Sequence, residues 1–439
     1  MSSAQLKPRA ARAAAKAQAT AERLSGVTLP SGGAAWMVRA REAALERVRA
    51  LGIPDRRDEY WKYSDPRALV APEPAPAALF EITDESEVFG SIDRLRLVFV
   101  DGVFDPAQSD DPEAEGLEIT RLAQAAEADI HWASDYYGAL EARGQNPVPR
   151  SLAALNTATA TEGVLIRATG RCEKPVSLIY KRRDPSAGAN LHHVIRVEPG
   201  AEMTLLENGP LAARGASVAE ISLGEGAVLH HVRAQGRDHE RRSHTHLFAA
   251  LAAQAKLRSF TLTANGALVR NEAQLWLDGP EGSAHLAGAA VGDGAFHQDD
   301  TVFVTHAAPD CESRQVFKKV LRNGAVGVFQ GKILVEQPAQ RTDGYQLSQG
   351  LALDEDCQFL AKPELEIYAD DVKCSHGSTA GELDPAQLYY LRARGIPEAE
   401  AKALLVLAFL GEALDEIARE DLADEIRTRL DGWLRRHQG

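Results

Sequence analysis

A short turn signal returns along this chain at a nearly fixed interval. Pro199-Gly200-Ala201, Glu225-Gly226-Ala227, Ala253-Gln254-Ala255, Glu281-Gly282-Ser283 and Pro309-Asp310-Cys311 have centres at 200, 226, 254, 282 and 310, spaced by 26, 28, 28 and 28 residues. A second series, Asn265-Gly266-Ala267, Asp293-Gly294-Ala295 and Asn323-Gly324-Ala325, falls between them at 28 to 30 residues. Fixed-period self-similarity marks a coil stacked on itself. A turn of that length, with one strand on each side of two tight corners, suits a flattened parallel β-helix. The left-handed hexapeptide coil needs only about 18 residues per turn. Right-handed crossovers are the rule for parallel strands, so the expected core is a right-handed parallel β-helix. An antiparallel sandwich with evenly spaced hairpins is the competing architecture.

The flanks read differently. Ala34 to Leu51 mixes apolar residues with Arg and Glu, and Gly52-Ile53-Pro54 is a stop signal. Ala71 to Ala78 is a Pro/Ala linker, and Leu95 to Phe104 reads as a strand and turn. Residues 105 to 150 are acidic and partly helical, with nothing chemically pointed in them. At the other end, Asp384-Pro385 supplies an N-cap and a proline at the first helical position. The next helix starts at Pro397 and is apolar nearly all round from Leu404 to Leu414, so it wants cover on two sides. A last helix lines up Leu422, Ile426, Leu430, Trp433 and Leu434. The expected organisation is mainly β: a helical and mixed region at 1–150, the coil at 151–382, and a helical region at 383–439 that caps a solenoid end or docks a partner.

Charge and cysteine usage exclude several classes. Sixty-three acids outweigh 49 Lys and Arg, giving a net charge of −14. Such a chain is a poor general nucleic-acid binder, because phosphate contacts need clustered cations. The longest strong apolar run, Leu404 to Leu410, is seven residues, far short of a membrane span. The N-terminus is Ala-rich and basic (Lys7, Arg9, Arg12, Lys16, Arg23), which reads as an amphipathic helix, although an organelle transit peptide shares that composition. Cysteines at 172, 311, 357 and 374 form no CxxC pair, so neither a disulfide framework nor a self-contained zinc or iron–sulfur site is expected. A reducing cytoplasm is the expected location.

Few residues carry chemistry on their own. His244 and His246 would share one strand face, but no Cys or carboxylate is spaced to complete a zinc site, and solvent-facing histidines are expected there. His192-His193 and His230-His231 point to opposite faces. Asp299-Asp300 and Asp370-Asp371 likewise split across a strand, which weakens a carbohydrate-cleaving reading. No phosphate loop or nucleophile elbow is present. In Lys373-Cys374-Ser375-His376-Gly377, an extended backbone projects Cys374 and His376 from one face. Thiolate and imidazole both bind iron, but two ligands do not hold a cluster, so the rest would come from another chain.

The stretch Phe329 to Arg394, above all PELEIYADDVKCSHG, resembles the SufB/SufD family of iron–sulfur assembly scaffolds, on its SufD side. Glu59-Tyr60-Trp61-Lys62-Tyr63 is similar to that family's N-terminal aromatic element, and Ser378 and Ala380 are small departures from its pattern. The resemblance implies a non-enzymatic scaffold that pairs with SufB through the β-helix and binds the ATPase SufC through its C-terminal helices. On that reading Leu404, Leu405, Leu407, Phe409, Leu410 and Leu414 are the SufC-binding residues. A transient iron–sulfur cluster, shared with SufB, would form at the SufB–SufD interface, with His376 as an iron ligand and Cys374 as its neighbour. ATP enters only through SufC. Family complexes are also linked to reduced flavin, for which this sequence has no fingerprint, and an isolated chain is open to homodimer formation. A homomeric SufB-like scaffold and a β-helix carbohydrate enzyme are the rival functions.

Overall fold

A computed structural model describes residues 3–79, 86–112, 116–236 and 239–437; the side chains of Lys7 and Arg9 lie outside the described residues. Its core is a parallel β-solenoid of two sheets, ten-stranded and nine-stranded, with successive strands of the chain alternating between them. Equivalent strands of neighbouring turns pair in parallel and in register. In the nine-stranded sheet, for example, Arg242 lies between Arg214 and Leu268, and Leu251 between Leu223 and Leu277. The antiparallel sandwich is thereby excluded.

The corners explain the period. Gly200, Gly226, Gln254, Glu281, Asp310 and Arg341 all adopt positive φ, between 57° and 71°. Each then hands a backbone hydrogen bond to the corner of the following turn: Gly226 N–H donates to Ala253 O, Gln254 N–H to Pro280 O, and Glu281 N–H to Pro309 O. The repeated sequence signal is therefore a ladder of left-handed corners along one edge. In the fourth of them Glu281, not Gly282, makes the turn. Asn265, Gly294 and Asn323 mark the opposite edge, also at positive φ.

Alternation along each strand sends one row inward. Leu247, Ala249 and Leu251, with Leu275, Leu277, Val302 and Val304 from later turns, join one interior core. The outward rows are covered by the helices. On the nine-stranded sheet, the Ser151–Thr159 helix places Ala153 against Val218, Phe248 and Trp276. The Ala35–Leu51 helix packs on that helix in turn, through Val48 against Ala154 and Leu155. On the ten-stranded sheet, Leu410, Leu414, Leu422, Ile426, Leu430 and Trp433 of the C-terminal helices cover Phe260, Leu262, Val316 and Val320.

Two expectations fail for the same reason. His244 and His246 are buried, with 5% and 3% exposure, because the N-terminal layer covers their face of the strand. Residues 105 to 150 are not chemically idle: Glu141 is fully buried against Arg47 and Gln145, and Arg150 reaches Glu272 at 3.0 Å. Both residues belong to the layer that seals the sheet. His192 and His193 do split as expected, His193 turning inward to Tyr180 (3.3 Å) and His192 outward to Glu220 (2.7 Å), whereas Asp370-Asp371 lies in a bend between strands and is not split by one.

Candidate functional site: the open last turn

The two ends of the solenoid differ in the direction of their last strands. At the start, the ten-stranded sheet closes with the antiparallel Val103–Phe104 strand and the nine-stranded sheet with antiparallel Leu117–Arg121. At the far end, Val372–Gly381 and Gln358–Ile367 are the outermost strands, each paired on one side only, among the described residues. Their side chains are mostly exposed or half-buried.

Cys374 and His376 sit on that last strand. Its register places Cys374 beside Gly344, His376 beside Gln346 and Ser378 beside Ser348. Gln346 and Ser348 are fully buried members of the inward row, so Cys374 and His376 continue that row to the open end. The sequence expectation that they share a face follows from this alternation. Glycine at 344 makes room for the sulfur: a Cβ there would lie 3.2 Å from Cys374 Sγ. Cys374 packs with Ile333, Val335 and Val372, and His376 is exposed. Burial pushes the Cys374 thiol up, against the backbone N–H of Gly344, which favours the thiolate. The sulfur is therefore held toward its neutral thiol form. Among the described residues, no group of three His, Cys, Asp or Glu side chains is placed to hold a metal. The open turn offers one sulfur and one imidazole on a single face, a partial ligand set.

The aromatic N-terminal element was legible as a motif but not as a contact. Tyr60 O accepts from Arg270 (2.9 Å) and Gln330 (3.1 Å), and the Arg270 guanidinium lies 4.0 Å over the Trp61 ring. Tyr60 OH donates to Glu364, and Lys362 reaches both the Tyr60 ring (3.9 Å) and Glu59 (2.7 Å). This clasp ties the N-terminal region to the Gln358–Ile367 strand, at the open end of the solenoid.

The expected docking residues divide. Leu410 and Leu414 are buried in the chain's own core, and Leu407 and Phe409 pack partly against it. Leu404 is 43% exposed, and beside that helix Tyr389 and Tyr390 stand out at 75% and 57%. Leu405 is half-buried. The C-terminal helices thus keep an apolar and aromatic surface after their own core is satisfied. No described helix is long and apolar enough to cross a membrane.

The chain is thus a two-sheet parallel solenoid between helical flanks, with Cys374 and His376 on an unpaired edge strand. Sequence comparison gives the family. The description "SUF system FeS cluster assembly, SufBD core domain" matches residues 180–409, and "SufBD protein N-terminal region" matches residues 26–177. The iron-sulfur cluster assembly protein SufD of Escherichia coli is 28% identical over 396 residues, covering 88% of this chain and 90% of its own. A SufBD family protein of Synechocystis is 30% identical, covering 89% and 90%, and SufD of Bacillus subtilis is 25% identical, covering 89% and 92%. The chain belongs to the SufBD family of iron–sulfur cluster assembly proteins and is SufD-like.

Proposed function

We propose that this chain is a non-enzymatic scaffold subunit that builds an iron–sulfur cluster only in company. Its open last turn pairs edge to edge with a second solenoid of the SufB type, and the nascent cluster is held between them. His376 supplies an iron ligand from this side, and Cys374 stands next to it. The observation that carries the reading is the placement of this pair: two soft-metal donors on an unpaired strand, with no third ligand nearby among the described residues. Unpaired backbone groups on both last strands give the partner a template for strand addition. An ATPase of the SufC type docks on the remaining apolar surface of the C-terminal helices, around Leu404, Tyr389 and Tyr390, and ATP acts only there.

Co-expression with candidate SufB and SufC chains, followed by anaerobic iron and sulfide analysis, tests the reading. His376→Ala should leave the complex assembled and lower its cluster content sharply; Cys374→Ala should have the smaller effect, because that sulfur is packed. Wild-type cluster content in the His376→Ala complex would remove the residue from the site. Cluster assembly by the chain alone as a homodimer would replace the heteromeric reading with the homomeric one.

A further inference from the structure

Between the N-terminal helical layer and the outer face of the nine-stranded sheet lies a cavity of about 430 Å³. Arg23 reaches it from the first helix, Glu73 from the Pro/Ala linker and Asn156 from the Ser151–Thr159 helix. Asp184 lines it from a corner loop, and Arg214 and His244 from the sheet itself. The strand bearing His244 lies four strands from the outermost strand of its sheet, so the cavity is separate from the Cys374–His376 row.

Its walls carry unmet hydrogen-bonding groups. His244 is 5% exposed, and neither of its ring nitrogens has a partner. Asn156 is 2% exposed; it donates to Ala216 O at 3.2 Å, but its Oδ1 accepts nothing. Arg23 Nε is buried and equally unpartnered. A buried polar group left unmet costs about 1–3 kcal/mol, so such groups are rare and do not gather without an occupant. Glu73 and Asp184 balance the two guanidiniums in number along the lining, but neither reaches the unmet groups of His244, Asn156 and Arg23. Burial, and then the nearby Arg23, push the Arg214 guanidinium down to about 10, with Glu73 opposing. Arg214 uses two of its five N–H donors on backbone carbonyls, Ala71 O and Pro72 O (3.2 Å), and Asp184 accepts from Ser186 N–H at 2.7 Å. Two guanidiniums facing one void form a site for oxygen anions. The volume has room for roughly fourteen waters, more than an inorganic ion fills.

We propose that this cavity binds a small organic oxyanion, a carboxylate or a phosphate ester, through Arg23, Arg214 and the His244 imidazole. Asn156 Oδ1 and Glu73 accept hydrogen bonds from hydroxyl or amine groups on the ligand's polar body. The ligand thereby bridges the first helix, the linker and the sheet, and its binding stabilises the N-terminal layer.

Thermal-shift titrations of the full chain with citrate and with glycerol 3-phosphate, at ionic strength held constant by sodium chloride, test the proposal. At least one probe should raise the melting temperature saturably, and Arg23→Gln should weaken the apparent affinity by roughly tenfold. A response to citrate alone identifies a carboxylate ligand, and one to glycerol 3-phosphate alone a phosphate ester. Arg214→Gln should act in the same direction; if it fails to fold, having lost its backbone contacts, Arg23→Gln decides. No saturable rise with either probe overturns the proposal. So does an Arg23→Gln chain whose affinity stays within about twofold of wild type.

Discussion

Asp299 accepts from Ser64 at 2.6 Å and pairs with Arg270 at 2.5 Å, and Arg270 continues to Glu272 at 2.8 Å. All three charged side chains are almost fully buried, and although burial alone would raise the Glu272 carboxyl, the Arg270 guanidinium holds it well below the usual carboxylate range. Asp299→Ala leaves the buried Arg270 with Glu272 as its remaining carboxylate and strips Ser64 and Gln330 of their acceptor, so it is expected to destabilise the chain by about 2–3 kcal/mol; a thermal midpoint close to wild type would show that water takes the carboxylate's place. The sequence presented Asp299 only as half of an acidic pair with Asp300. Its true partner lies 29 residues back, one turn of the coil, so the period itself contained the signal that residues about 28 apart stack. Acid should act through other residues. Burial pushes His193 and His306 down to about 4 and His244 down to about 3, below the ordinary value of about 6.5. The unfolded chain therefore binds these protons first, and the stability conferred by the neutral rings is complete above about pH 6.5 and drains as pH falls through 4. The melting temperature should fall from pH 7.5 to pH 5.5; a flat profile over that range would contradict the burial of these rings.

At the scale of elements, the Glu420–Arg436 helix shows what periodicity can and cannot tell. The stripe Leu422, Ile426, Leu430, Trp433 and Leu434 is legible from spacing and is entirely buried. Its destination is not legible, because the surface it covers is assembled from strands of several turns. Trp433 stacks on His437 and donates to Asn265 Oδ1 at 3.2 Å, fastening the helix to a corner of the coil. Trp433→Ala should cost about 3–5 kcal/mol, read as a lowered urea midpoint; a loss under about 1 kcal/mol would mean that the helix docks without it. Removing residues 384 to 439 to test partner binding would also uncover Phe260, Leu262, Val316 and Val320, so the shortened coil should aggregate. Leu404→Asp with Tyr389→Asp probes the outer surface cleanly. These changes should abolish co-purification with a SufC-type ATPase while leaving the melting temperature unchanged, and retained binding would place the docking surface elsewhere.

Taken whole, the molecule is a rod whose ladder runs through every corner and whose two ends differ. The corner series was readable because each turn repeats the same left-handed residue; the difference between the ends was not, because closure at the start depends on strands that run against the coil. Val103–Phe104 and Leu117–Arg121 end the sheets there with antiparallel strands, while Val372–Gly381 and Gln358–Ile367 end them at the other with strands that continue the parallel ladder. A Pro in place of Thr379 removes a backbone donor from the outermost strand of the ten-stranded sheet. It should weaken pairing with a second solenoid by at least roughly tenfold in size-exclusion or pull-down measurements, with the melting temperature of the isolated chain little changed; undiminished pairing would mean that the rods meet by another face. Growth that can proceed from only one terminus stops after a single step. On the proposed pairing through the last turn, each rod spends that end in one joint, so the assembly would stop at two and not run on into filaments.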